Sequence, residues 1–144
     1  MKTTAKWISE NNYILNNSKH LNLAISDPVK KQDNYELNCL DLVLMGFTGC
    51  ITAEFKKHTI HHSVKIQSVE TDVEIKTLQN AHPNFTVYVT CKVTSGAEIE
   101  LLKKCLEKAV DTSFLAILFR EGGIKIHSEL IVTTPAQYIE SFMS

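Results

Sequence analysis

The run from Leu37 to Lys57, LNCLDLVLMGFTGCITAEFKK, constrains this chain more than any other stretch. From Leu37 to Phe55 it is apolar almost all the way round, so as a helix it is expected to be buried on more than one side. Asn38 is placed to cap its N-terminus, and Asp41 stands at the third helical position, where a carboxylate suits the helix dipole. Lys56, Lys57 and His58 suit the other end, and the helix is expected from Asn38 to His58. Gly46, Gly49, Cys50 and Ala53 line one face with small side chains. A glycine inside a helix costs about 1 kcal/mol against alanine, so the pair implies that another element or a ligand comes close there. Cys50 sits in that face, and a thiol in a narrow space on a buried helix is where chemistry is to be expected in this sequence.

Ahead of this helix, Thr3 to Ile8, Tyr13 to Leu15 and His20 to Ile25 read as short strands of an antiparallel meander, with Asn11-Asn12 and Asn16-Asn17-Ser18 as turns. Asp27-Pro28 breaks the last of them, and Val29 to Glu36 is a polar connection whose Lys30 and Lys31 read as solvated charges. After it, Val64, Ile66 and Ser68 alternate, with a register change at Val69, giving one long strand or two up to a turn at Asn80–Asn84. Phe85, Val87, Val89, Cys91 and Val93 share one face of the next strand, which points the Cys91 thiol inward. Ser95 and Glu98 form a capping-box pattern for a second helix reaching about Arg120, with Leu102, Leu106, Ala109, Ser113 and Ile117 along one face. Gly122-Gly123 ends it, Ile124 to Thr133 is a final strand, and Pro135 to Ser144 a short terminal helix. The order βββ-α-ββ-α-β implies an α+β fold, with the two long helices packed on antiparallel sheets.

A chain of 144 residues with 44% hydrophobic and 22% charged residues fits one soluble domain over 1–144 with a real core. The net charge of −1 and the lack of a long basic run speak against nucleic acid as a partner. No apolar run is long enough to span a bilayer, and MKTTAKWISE lacks the apolar region of a signal peptide, so a cytoplasmic protein is expected. The cysteines at 39, 50, 91 and 105 show neither CxxC nor zinc-finger spacing; in a reducing compartment they are expected as free thiols, most or all of them buried packing residues.

Ser113 interrupts the apolar face of the second helix. It either bonds back to the carbonyl four residues earlier, or faces the small-residue patch around Cys50 and offers its hydroxyl to the thiolate or a ligand. His58, His61 and His62 read as a solvated polar turn, because no acidic or thiol ligand accompanies them at metal spacing. No metal and no cofactor is expected. Trp7, the single tryptophan, is assigned to core or dimer packing.

The segment Asp41-Leu42-Val43-Leu44-Met45-Gly46-Phe47-Thr48-Gly49-Cys50 resembles the E-L-L-L-x-A-L-G-x-C helix of the OsmC/Ohr family. Ala109-Val110-Asp111-Thr112-Ser113-Phe114-Leu115 is similar to that family's second motif, in which a cysteine begins a C-P-V or C-S-V run. The element order also matches. The resemblance implies an intertwined homodimer with sites at the subunit interface, and reduction of organic hydroperoxides by a cysteine matching Cys50. In that chemistry the thiolate becomes a sulfenic acid, and a second cysteine then closes a disulfide. Asp41 matches the family's acidic position, so Cys50, Ser113 and Asp41 are the candidate site residues. Ser113, however, stands where the resolving cysteine belongs, and the family's arginine ahead of the first helix is missing: the only arginine is Arg120. Cys105 precedes Ser113 by roughly 12 Å along a helix axis, too far to replace it, and reads as structural; Cys39 lies three turns before Cys50 on the same helix and cannot bridge to it. Two functions follow. One is a weak single-cysteine peroxidase with an external thiol as resolver and a peroxide as substrate. The other is a non-catalytic dimer that binds a small hydrophobic molecule in an interface pocket.

Overall fold

A computed structural model describes residues 2–9, 12–17, 22–26, 37–77 and 85–143. The connection carrying Lys30 and Lys31, the turn at 80–84 and the surroundings of the Trp7 side chain lie outside the described residues. The elements run β1 (Thr4–Ser9), β2 (Asn12–Asn16), β3 (Asn22–Ser26), α1 (Cys39–His61), β4 (Ser68–Thr77), β5 (Phe85–Thr94), α2 (Ile99–Thr112), α3 (Phe114–Glu121), β6 (Lys125–Thr133) and α4 (Pro135–Met143). The chain divides into two compact units, Met1–Met45 and Gly46–Ser144.

The first unit holds the expected meander. β1 pairs antiparallel with β2, and β2 with β3, with one irregularity between Trp7 and Ser9. It also holds the first turns of α1, where Asn38 and Asp41 satisfy each other's amides. Asp41 N donates to Asn38 Oδ1, and Asn38 N donates to Asp41 Oδ2, both at 2.9 Å. This is a reciprocal capping box built from Asn and Asp.

In the second unit, α1 buries a single stripe, Phe47, Ile51, Phe55 and Thr59, spaced one turn apart. Phe47, Ile51 and Phe55 pack into one core with Val87, Val89, Cys91 and Val93 of β5, Leu102, Cys105, Leu106 and Ala109 of α2, and Ala116 of α3. The second buried face expected of this apolar helix is open in the single chain, where Ile60 is exposed; so are Leu40, Val43 and Met45 in the first unit. Nor do the glycines mark a tight contact. A Cβ at Gly46 would meet Leu115 Cδ1 at an ordinary 3.7 Å, and one at Gly49 would meet open space. α1 ends in a Schellman motif, with Ser63 in the left-handed region (φ 55°) and Val64 N donating to Thr59 O at 2.8 Å.

The second sheet has the order β4-β5-β6. β4 and β5 are antiparallel, but β5 and β6 are parallel, in register from Thr86↔Lys125 to Thr94↔Thr133. The expectation of purely antiparallel sheets is thus corrected. The α2–α3 crossover between β5 and β6 returns the chain to the end from which β5 began, which makes parallel pairing the natural outcome. Two further expectations fail on local chemistry. Ser95 does not cap α2. Its Oγ donates to Lys65 O at 2.6 Å and accepts from Ala97 N at 3.0 Å, tying the start of α2 to the approach to β4. The second long helix is not continuous either: it breaks at Ser113, whose backbone is extended (φ −64°, ψ 126°).

Candidate thiol site

Gly46, Cys50, Glu54 and His58 follow one another four residues apart along α1 and form one ridge. Contacts on both sides of Cys50 go to the same stretch of α2–α3. Gly46 faces Leu115, while the Thr112 hydroxyl lies 3.2 Å from Glu54 Oε2 and 3.0 Å from His58 Nε2. The Phe47 ring stacks on Phe119, with centroids 4.9 Å apart and planes 1° from parallel. The helices therefore run antiparallel at this contact. Along α1 Cys50 lies between these contacts, as Ser113 and Phe114 lie between Thr112 and Leu115 along the facing stretch. Ser113 is wholly buried. Among the described residues its Oγ is the buried side-chain oxygen with no hydrogen-bond partner, so it does not bond back to the helix carbonyl. Asp41, the third predicted site residue, has its carboxylate engaged in the α1 cap.

The four cysteines are free and differ sharply in setting. Cys50 is half-buried and Cys39 exposed, whereas Cys91 and Cys105 are buried. Burial pushes the Cys105 thiol up. Burial also raises Cys91 from 9.0 to about 11, against a smaller opposing hydrogen bond from Thr71, its cross-strand partner. A pKa raised on folding means the protonated thiol stabilises the native state. That contribution is complete below about pH 9 and is lost as pH climbs through the folded value near 11. Native stability is expected to fall by about 2–3 kcal/mol across this window through Cys91 alone. Urea unfolding of wild type and Cys91→Ala at a series of pH values checks this. A variant that loses as much stability over the same window would remove the thiol as the cause.

Sequence reasoning overlooked two groups. Glu54, Thr112 and His58 form a hydrogen-bonded cluster beginning one turn beyond Cys50, while the rings of His61 and His62 meet edge to face. Arg120 folds back onto the α2–α3 break, donating from Nη1 to Asp111 Oδ1 at 2.9 Å and from Nη2 to the carbonyls of Asp111 at 3.0 Å and Val110 at 3.3 Å. The signal for the first was the i, i+4 pair Glu54/His58; the second had none. Among the described residues no three His, Cys, Asp or Glu side chains group as a metal would require, and no helix is long and apolar enough to cross a membrane.

The fold is similar to that of an OsmC like protein from Mycoplasma pneumoniae (TM-score 0.76, 12% identity, covering 92% of this chain and 95% of that one). It is also similar to an organic hydroperoxide resistance protein from Elizabethkingia anophelis (TM-score 0.68, 18% identity, 92% and 94% covered). A third likeness is to the organic hydroperoxide resistance protein OhrB of Bacillus subtilis (TM-score 0.64, 17% identity, 90% and 96% covered). At such identities the likeness is one of fold. No curated protein matches the sequence. A family model described as OsmC-like protein matches residues 31–129, well over half the chain, and with the α+β topology and the Cys50 helix in place the chain belongs to the OsmC-like protein family.

Proposed function

We propose that the protein is a single-cysteine, thiol-dependent hydroperoxide reductase, with Cys50 as the attacking thiol and an external thiol as resolver. One observation carries this reading: the part of α1 that holds the half-buried free thiol of Cys50 packs against the α2–α3 break, where the buried Ser113 hydroxyl has no partner within the chain. Leaving a buried hydroxyl unpaired costs about 1–3 kcal/mol, so a thiolate sulfur or a peroxide oxygen within its reach would be a favoured acceptor for its proton. The names of the Elizabethkingia anophelis and Bacillus subtilis proteins support the substrate class.

In the proposed reaction the Cys50 thiolate attacks one peroxide oxygen. The O–O bond breaks, the alkoxide leaves and takes a proton as the alcohol, and Cys50 becomes a sulfenic acid. Ser113 donates to the thiolate and then to the sulfenate oxygen; as a hydroxyl it cannot close a disulfide. An external thiol condenses with the sulfenic acid, releasing water and leaving a mixed disulfide on Cys50. A second thiol attacks that disulfide, frees the low-molecular-weight disulfide and restores Cys50. A reducing cytoplasm would supply both thiols. Asp41 contributes through the cap that fixes the start of the Cys50 helix. Phe114, Ile117 and Leu118, exposed in the single chain just after Ser113, support a homodimer that covers this side of the site.

The Ser113 replacement favours one competing reading, a non-catalytic dimer that holds a small hydrophobic molecule in an interface pocket. Cumene hydroperoxide and dithiothreitol with purified protein decide between them. Turnover is expected, and with glutathione in place of dithiothreitol, one glutathione adduct on Cys50 by intact mass and peptide mapping. No turnover, together with no adduct, leaves the ligand-binding reading.

A further inference from the structure

The break at Ser113 opens the backbone ladder. Ser113 N still donates to Ala109 O at 2.9 Å, and the ladder resumes with Ile117 N donating to Ser113 O at 3.0 Å. Between them the extended backbone of Ser113 carries the amides of Phe114, Leu115 and Ala116 away from the carbonyls of Val110, Asp111 and Thr112, their acceptors in a continuous helix. Arg120 takes up two of these three carbonyls, those of Val110 and Asp111, with Nη2 and the Asp111 carboxylate with Nη1. A planar guanidinium can bridge several acceptors at once, and a cation suits the negative end of a helix. The last turn of α2 has no basic residue of its own.

We propose that Arg120 is a positioning residue for the thiol site. By occupying the Val110 and Asp111 carbonyls it keeps α2 and α3 from running together, and so holds the Ser113 hydroxyl at the level of Cys50. The inference rests on the roles given to Cys50 and Ser113 above. Without the fork, the amides of Phe114 and Leu115 recover the two carbonyls by continuing the helix through Ser113. The Ser113 ψ then swings from 126° to about −42°, and the hydroxyl leaves its place.

The test is the rate at which iodoacetamide alkylates Cys50 at neutral pH, followed by peptide mass, at a temperature where every variant is folded. Ser113→Ala is expected to slow alkylation about five-fold, the factor one net hydrogen bond to the thiolate supplies. Arg120→Ala is expected to slow it by a similar factor in the wild-type background and to add nothing to Ser113→Ala. A merely structural Arg120 would lower the unfolding midpoint and leave this coupling at zero. Arg120→Lys keeps a charge beside Asp111 but lacks the fork, and is expected to be slow as well; it carries the test if the alanine variant does not fold. A wild-type rate in Ser113→Ala or in the foldable Arg120 variant, or equal slowing by the Arg120 change in both backgrounds, overturns the proposal. Peroxide turnover is not the readout, so failure of the reductase reading and failure of this inference are separately visible.

Discussion

Cys50→Ala is expected to abolish thiol-dependent consumption of cumene hydroperoxide, leaving only the direct reaction of peroxide with dithiothreitol, while Cys39→Ala consumes peroxide at the wild-type rate. The contrast follows from the settings of the four thiols. Cys91 and Cys105 are sealed in the core, and burial holds both in the protonated, unreactive form. Cys39 is exposed at the first residue of α1, next to the Asn38–Asp41 cap. Cys50 combines partial access with a place on the face of α1 that packs against the α2–α3 break. Removing a nucleophile removes the covalent route rather than weakening it, so the loss should far exceed the roughly five-fold effect of deleting the Ser113 hydroxyl. Cys50→Ser should fail equally, because a hydroxyl at its ordinary pKa does not attack peroxide. Measured peroxide consumption that persists in Cys50→Ala would end the thiol mechanism.

What the sequence made legible was local. The Asn38/Asp41 cap, the alternation Val87-Val89-Cys91-Val93 and the Gly122-Gly123 stop are each written within one turn or one strand, and each appears where expected. The inward thiol of Cys91 followed from the same alternation. What failed depended on partners distant in sequence. Ser95 looks like a helix cap, yet the Lys65 carbonyl claims its hydroxyl. The apolar spacing through Ser113 reads as one helix because neither proline nor glycine marks the break. The break instead re-phases the packing, so that Ala116 is buried while Ile117, expected inside, is exposed. Arg120 reads as an ordinary cation at a helix end, and its grip on the preceding helix is visible only in three dimensions. The thiol was legible for a partly wrong reason: Gly46 and Gly49 drew attention to its face, but neither is held by a close neighbour within the chain.

Phe47→Ala is expected to cost about 3–5 kcal/mol, a large share of the 5–15 kcal/mol typical of a whole domain. Phe47 is fully buried, at the head of the α1 stripe that continues through Ile51 and Phe55, and its ring lies flat against Phe119 of α3. Truncation removes the burial of a large ring, opens a cavity in a close-packed core, and forfeits about 0.5–1.5 kcal/mol of aromatic pairing. The site should feel this before the fold does. The Phe47–Phe119 stack and the Gly46–Leu115 contact set the height of α1 against α3, and the proposed pairing of Cys50 with Ser113 depends on that height. Urea unfolding followed by circular dichroism gives the stability loss, and Cys50 alkylation in the folded variant gives the local effect. A midpoint shift worth under about 1 kcal/mol would mean that the helices do not meet here, and the juxtaposition of thiol and hydroxyl would lose its support together with the ring stack.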